Sequence, residues 1–153
     1  MTTVRGYAFP DDLYYMVEHD IWARPEDDDT ITVGLTALGC RVSGEFIEFM
    51  PKPVGTEVER DRALAVLEMS KTIRSARAPA AGTIVAINDE VRRQPQLLNR
   101  DPYGAGWLVR LRADDWARDA AMLVPGSAVA PVVERYMDLY LVPEFGSDDG
   151  LRA

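Results

Sequence analysis

Apolar and polar residues alternate through "TITVGLT", Thr30 to Thr36, with Ile31, Val33 and Leu35 on one side and Thr30, Thr32 and Thr36 on the other. A period of two predicts a half-buried strand. "GEFIEFM", Gly44 to Met50, predicts another, stopped by Pro51 and Pro53, with a turn at Gly55. "ALAVLEMS", Ala63 to Ser70, is apolar on both faces as far as Leu67, the pattern of a central buried strand. "GTIVAIN", Gly82 to Asn88, predicts a further strand. "WLVRLR" alternates again, Trp107, Val109 and Leu111 against Leu108, Arg110 and Arg112. The acidic run Glu26 to Asp29 after Pro25 fits a solvated hairpin turn, and Ala37 to Gly44 a short break with one helical turn. Leu64, Val66, Ile84, Val85, Ile87 and Leu111 are the expected core.

Only the C-terminal third has a strong helical period. Asp114 or Asp115 caps a helix carrying Trp116, Ala120 and Leu123. Pro131 suits the first turn of a second helix, with Val132, Val133, Tyr136 and Tyr140 on one face. The pattern therefore predicts a mainly β fold of short antiparallel strands with C-terminal helices. One domain over residues 1–143 is expected, and 144–153 as a flexible, polar tail. A weak echo relates "GEFIEFM…VGTEV" to "GTIVAIN…DEV": glycine, strand, acidic turn. It suggests two pseudo-symmetric halves around the segment between them.

That segment, Ala63 to Pro79, presents Lys71 at the tip of a hairpin. A lysine on a turn is most often a solvated charge that keeps an edge soluble. An amine in water is protonated at neutral pH and is no nucleophile without special desolvation, and no apolar pocket is foreseen around Lys71. Acylation gives it another use. A carrier group joined through a neutral amide swings on a flexible stem, and its chemistry is its own.

Composition narrows the alternatives. The 153 residues are 47% hydrophobic, enough for a real core, and carry a net charge of −8. An acidic chain is a poor match for nucleic acid. Cys40 is the one cysteine and His19 the one histidine. No internal disulfide forms, and hydrolytic triads and zinc sites are poorly provided for. The N-terminal "MTTVRGYAFPDD" is not patterned as a signal peptide, and no apolar run reaches membrane-spanning length. A soluble cytoplasmic protein is expected.

Several blocks resemble the glycine cleavage system H protein family. Glu68-Met69-Ser70-Lys71 matches its Glu-x-x-Lys strand end. "VGLT", "PKPVGTEV" and "APAAGTIVAIN" are similar to its "VGIT", "LPEVGTEV" and "SPVSGEVVEVN". "PQLLNRDPYGAGWLVRLR", Pro95 to Arg112, is similar to "PELVNEDPYGEGWLIKI", with "NRDPYGAGW" the most specific part. The resemblance covers residues 14 to 124. It implies a barrel-sandwich hybrid of the lipoyl/biotinyl-carrier type and a carrier that is not itself an enzyme. It implies lipoate on Lys71, with Glu68, Met69, Ser70 and Thr72 as flanking recognition residues. Ser70 and Thr72 disfavour biotin, whose carriers use a Met-Lys-Met tip. The implied partners are a lipoate ligase or lipoyl transferase, the glycine cleavage enzymes and dihydrolipoyl dehydrogenase. Asp101-Pro102-Tyr103-Gly104 is expected to be a structural turn, with Gly104 and Gly106 permitting positive φ. His19 is expected to pack or hydrogen-bond in the N-terminal strand.

Departures from the family pattern point to a divergent branch. "LTALGCRVSGE" stands where the family has "ITDYAQEQLGD", and "TIRSARA" follows the lysine where it has "AASDLYS". An additional helix, "AVAPVVERYMDLYLVPEF", extends the C-terminus, and "YYMVEHDIW" has one extra residue between His19 and Trp22. The set resembles H-like lipoate-binding proteins of a sulfur-oxidising pathway with a heterodisulfide-reductase-like complex. Arg74 and Arg77 are read either as attractors of anionic sulfur intermediates or acidic partner surfaces, or as solvated hairpin arginines.

Overall fold

A computed structural model describes residues 1–140 and 142. The chain opens with a small hairpin that the hydrophobic pattern did not predict, β1 (Thr2–Val4) and β2 (Tyr7–Phe9). Then come β3 (Tyr14–Met16), a 3-10 turn (Val17–His19), β4 (Ile21–Pro25) and β5 (Thr30–Leu35). Next are α1 (Ala37–Ser43), β6 (Phe46–Pro51), β7 (Glu57–Val58), β8 (Ala63–Met69) and β9 (Ile73–Arg77). β10 (Gly82–Ile87), α2 (Asp89–Arg93), α3 (Leu97–Arg100) and β11 (Val109–Ala113) follow. The chain ends in α4 (Trp116–Ala120), β12 (Val124–Pro125) and α5 (Val129–Leu139). The expected tail, 144–153, lies outside the described residues.

The strands form a seven-stranded sheet in the order β12-β3-β4-β5-β11-β10-β7 and a three-stranded sheet in the order β6-β8-β9, beside the two-stranded β1-β2. Among the described residues all strand pairings are antiparallel. The fold is mainly β, as expected. The main core lies between the two larger sheets: Ile31, Val33 and Leu35 meet Phe46, Phe49, Leu64, Leu67, Ile84 and Leu111. A second cluster joins Tyr7, Phe9, Tyr15 and Trp22 to Val129, Val133 and Met137 of α5.

Most patterned elements form where expected. Glu26–Asp29 is the β4–β5 turn, closed by Glu26 N–H donating to Thr30 O at 2.8 Å. Asp115 caps α4, its side chain accepting from Arg118 N–H. Gly55, at φ 94°, makes the predicted turn.

Three expectations are corrected. β8 is the central strand of its sheet but is covered on one side only: Leu64 and Leu67 are buried, whereas Val66, like Val85 and Ile87 of β10, is half-buried. Among the described residues the outer side of this small three-stranded sheet has no second layer over it. On α5 the inward stripe is Val129, Val133 and Met137, four apart, while Tyr140 is 63% exposed. The acidic turn after "GTIVAIN" is helical: Asn88 accepts from Glu90 N–H and starts α2. That breaks the expected symmetry, since β6 and β10 also belong to different sheets.

The cover on β8 sets its sensitivity. Leu64→Ala should cost about 2–5 kcal/mol by emptying core volume. Val66→Ala should cost clearly less. Urea unfolding of the two variants checks the order.

Candidate functional site

β8 and β9 pair tightly, Glu68 with Ile73 and Leu67 with Arg74. Met69 N–H donates to Thr72 O at 2.9 Å and closes the tip, leaving Ser70 and Lys71 at its corner. Ser70, Lys71, Thr72 and Ile73 are all exposed. Lys71 makes no hydrogen bond or ion pair with any described residue. An amine held at a turn with no partner is open to an acylating enzyme. Its conversion to a neutral amide strands no counter-charge. The residues present therefore fit a covalently attached acyl arm.

The flanking residues divide between the two sides of the sheet. Met69 is buried against its strand partner Phe46. Glu68 points out beside Glu48, and Ser70 and Thr72 ring the lysine at the tip.

The root of the hairpin is fixed by a residue whose role was not legible in the sequence. Arg74 shares a row with Leu67 and Phe49, both buried, so its side chain enters the body. Its guanidinium donates to Asp20 Oδ2 at 3.3 and 3.4 Å, to His19 O at 3.0 Å and to Ser43 Oγ at 2.9 Å. Asp20 is only 6% exposed and ends the 3-10 turn at φ 60°. Its carbonyl accepts from Thr36 N–H at 2.8 Å. α1 presses against it so closely that a Cβ on Gly39 would stand 2.4 Å from Asp20 Cβ. Burial pushes the Asp20 carboxyl above its ordinary range, and the Arg74 guanidinium opposes that shift without overcoming it.

Arg74 is thus neither a solvated charge nor an open anion-attractor. Arg77 is more exposed and donates to Asp61 O at 3.0 Å. Asp61 also lies 3.2 Å from His19 Nε2. His19 sits on the 3-10 turn rather than in a strand, and its hydrogen-bonding role is as expected.

Cys40 is buried in α1 and donates its thiol to Leu98 O at 3.1 Å. Burial first, and the Asp20 charge second, push this thiol up to about 12, so it is no nucleophile at neutral pH. Among the described residues no three His, Cys, Asp or Glu side chains gather as a metal site. No helix there is long and apolar enough to cross a membrane.

The Asp101–Trp107 block has the expected structural role by a different device. Asp101 Oδ2 accepts from Ala105 N–H, and Asp101 O from Gly106 N–H at 2.8 Å. Neither Gly104 nor Gly106 has positive φ. They are needed for closeness: a Cβ on Gly104 would lie 2.5 Å from Asp101 Oδ2, and one on Gly106 2.6 Å from Leu97 O. Around this knot Pro102 O accepts from Trp22 Nε1 at 3.0 Å. Tyr103 Oη donates to Ala8 O and accepts from Ala37 N–H, steadying the start of α1.

A small open β fold that displays one unpaired lysine at a hairpin tip defines a carrier-domain type of protein. The family model for the glycine cleavage H-protein matches residues 13–135, and the chain belongs to that family, whose members are lipoyl carriers. "Glycine cleavage system H protein 2" of Aquifex aeolicus is 34% identical over 134 residues, 88% of this chain and 83% of that protein. "Glycine cleavage system H protein 3" of the same organism is 34% identical over 137 residues, 88% of this chain and 85% of that one. The crystal structure of a glycine cleavage system H protein from Mycobacterium marinum superimposes with a TM-score of 0.64. It is 27% identical and covers 74% of this chain and 98% of its own.

Removing Arg74 leaves Asp20 buried and unpaired, so Arg74→Ala should cost about 3–5 kcal/mol. The deficit should depend on pH. An acid whose folded-state pKa is raised binds its proton more tightly folded than unfolded. Stability then falls as pH rises from the unfolded value to the folded one. Without Arg74 the folded value climbs further, and the loss extends to higher pH. The deficit should therefore be smallest in acid and grow toward neutrality. A deficit that is flat across that range in pH-dependent urea unfolding contradicts this assignment.

Proposed function

We propose that Lys71 carries a covalent lipoyl group and that the chain is the arm-bearing carrier of an H-like lipoate-binding system serving sulfur oxidation. The observation that carries the first part is the unpartnered Lys71 amine at the hairpin tip, within the family's Glu-x-x-Lys pattern. Once attached, the group supplies a dithiolane that opens to a dithiol at the end of a flexible stem. The protein's own part is presentation: Met69 and Arg74 hold the strands, and Ser70, Lys71 and Thr72 stay in water. Glu68, Met69, Ser70 and Thr72 are the residues a modifying enzyme meets first.

The sequence contains two lysines, Lys52 and Lys71, which makes the test direct. Apo protein incubated with lipoate, ATP and a lipoate ligase should gain the mass of one lipoyl group. Lys71→Arg should stay folded and gain none. Modification of that variant, or of Lys52, would remove the proposal.

The sulfur reading rests on how the departures from the family pattern are grouped. The segment between His19 and Trp22, one residue longer than in the family pattern, the end of the rewritten α1 and the rewritten stretch after Lys71 share one network of Asp20, Ser43 and Arg74. The C-terminal helix α5, most of which lies inside the family match that ends at residue 135, touches the 3-10 turn that leads into Asp20. Coupled changes at the root of the arm fit a different set of partners. Numbered copies of the H protein within Aquifex aeolicus fit a family with more than one task. The expected partners are a heterodisulfide-reductase-like complex, a lipoate ligase or lipoyl transferase, and dihydrolipoyl dehydrogenase, in the cytoplasm.

The family's own name supports the second reading, an aminomethyl shuttle between glycine decarboxylase and the aminomethyltransferase. Lipoylated protein should support glycine decarboxylase exchange at least about tenfold less well than an authentic H protein, since about 1.4 kcal/mol of lost recognition suffices. Exchange at the authentic rate would leave the glycine role standing and end the sulfur reading.

A further inference from the structure

The sheet that carries Lys71 has an inner face locked into the core and an outer face that no described residue covers with a second layer. Its outer rows follow from the strand register. Glu48 on β6, Glu68 on β8 and Ile73 on β9 form one row, and Met50, Val66 and Ser75 the next. Ile47, displaced by the irregular register between Phe46 and Glu48, is 51% exposed. Met50 is 40% and Ile73 62% exposed. This is an apolar strip with two carboxylates set side by side on paired strands, ending at the lysine.

Like charges directly opposite on adjacent strands are destabilising. Among the described residues neither glutamate has an ion-pair partner. The fold does not need Glu48 for its own cohesion. A cationic side chain set between the two carboxylates would complement them, with Met50, Val66 and Ile73 as the apolar rim around it. The surface thus fits a protein partner that presents a lysine or arginine flanked by apolar residues.

Reach selects which partner this is. An unmodified lysine amine lies only about 6 Å from its own Cα, at roughly 1.5 Å per bond along a zigzag stem. The enzyme that acylates it must therefore hold the hairpin itself. A lipoyl group adds on the order of 10 Å of flexible chain, so later partners can take the arm without gripping the sheet. We propose that the outer face of β6-β8-β9, with Glu48 as its added specificity residue, is the docking surface for the lipoate ligase that modifies Lys71. The inference rests on the carrier reading above and extends it from the lysine's immediate neighbours to a separate strand.

The test compares wild type with Glu48→Gln and Glu48→Lys. Apo proteins are modified with lipoate, ATP and a lipoate ligase, and initial rates are followed by intact mass at several carrier concentrations. Glu48→Gln should lower kcat/KM about tenfold, mainly through KM, and Glu48→Lys should lower it further. Thermal unfolding should show Glu48→Gln at least as stable as wild type, because a like-charge pair has been removed. The same variants, driven to full modification with excess ligase, should be reduced by dihydrolipoyl dehydrogenase at the wild-type rate. Wild-type modification of Glu48→Gln and Glu48→Lys overturns the docking face and leaves the carrier reading intact. An equal loss in the dehydrogenase assay overturns the assignment to the ligase. Failure of wild type itself to be modified removes the carrier reading, and the docking face with it.

Discussion

One partly buried ion pair, Arg74 to the buried Asp20, joins the lysine hairpin to the rest of the molecule. Its two halves come from distant parts of the chain, and each is costly alone. Asp20 has lost most of its water, sits in left-handed backbone and is pressed by α1 at Gly39. Arg74 points inward from a strand otherwise half in solvent. A charge pair of this kind adds little against an apolar substitute of the same shape, but losing one partner strands the other. Its geometry fixes direction: three acceptors, Asp20 Oδ2, His19 O and Ser43 Oγ, set the guanidinium plane and with it the start of β9.

The site follows from that anchoring. An acyl arm on Lys71, as proposed, would need a still root, because the volume it sweeps is centred on the Cα that bears it. β8 is held on its inner side by Leu64, Leu67 and Met69, and β9 by Ala76 and the Arg74 network. One residue beyond these contacts the chain is exposed. The transition from buried to exposed therefore takes place between Met69 and Ser70, immediately before the lysine. Cys40, the one cysteine of the chain, is shielded and held protonated.

The Asp101–Trp107 knot steadies the other side of the same network. Tyr103 receives the first free N–H of α1, and Thr36 caps that helix through Gly39 N–H. α1 in turn delivers Ser43 to Arg74. The most family-specific block in the sequence thus acts on the lysine hairpin through a helix.

The periodic pattern located the longer strands β5, β6, β8, β10 and β11, and determined that the fold is mainly β and that Lys71 stands at a hairpin tip. These depend on near neighbours: alternation sets which side of a strand is apolar, and a short polar interruption between two apolar runs forces a reversal. The pattern was weaker where elements are short, as at the β1–β2 hairpin and at α2 and α3, because a few residues give no readable period. What only the tertiary structure decided is which side of each strand has a neighbour. Val66 and Leu67 are equally apolar in the sequence, yet only Leu67 has a layer to pack against. Arg74 and Arg77 look alike three positions apart, but opposite Leu67 the first must face inward, and Asp20, 54 positions earlier in the chain, is there to meet it. Long-range partnerships of single polar residues leave no periodic trace, since they need one match of charge and position rather than a repeat.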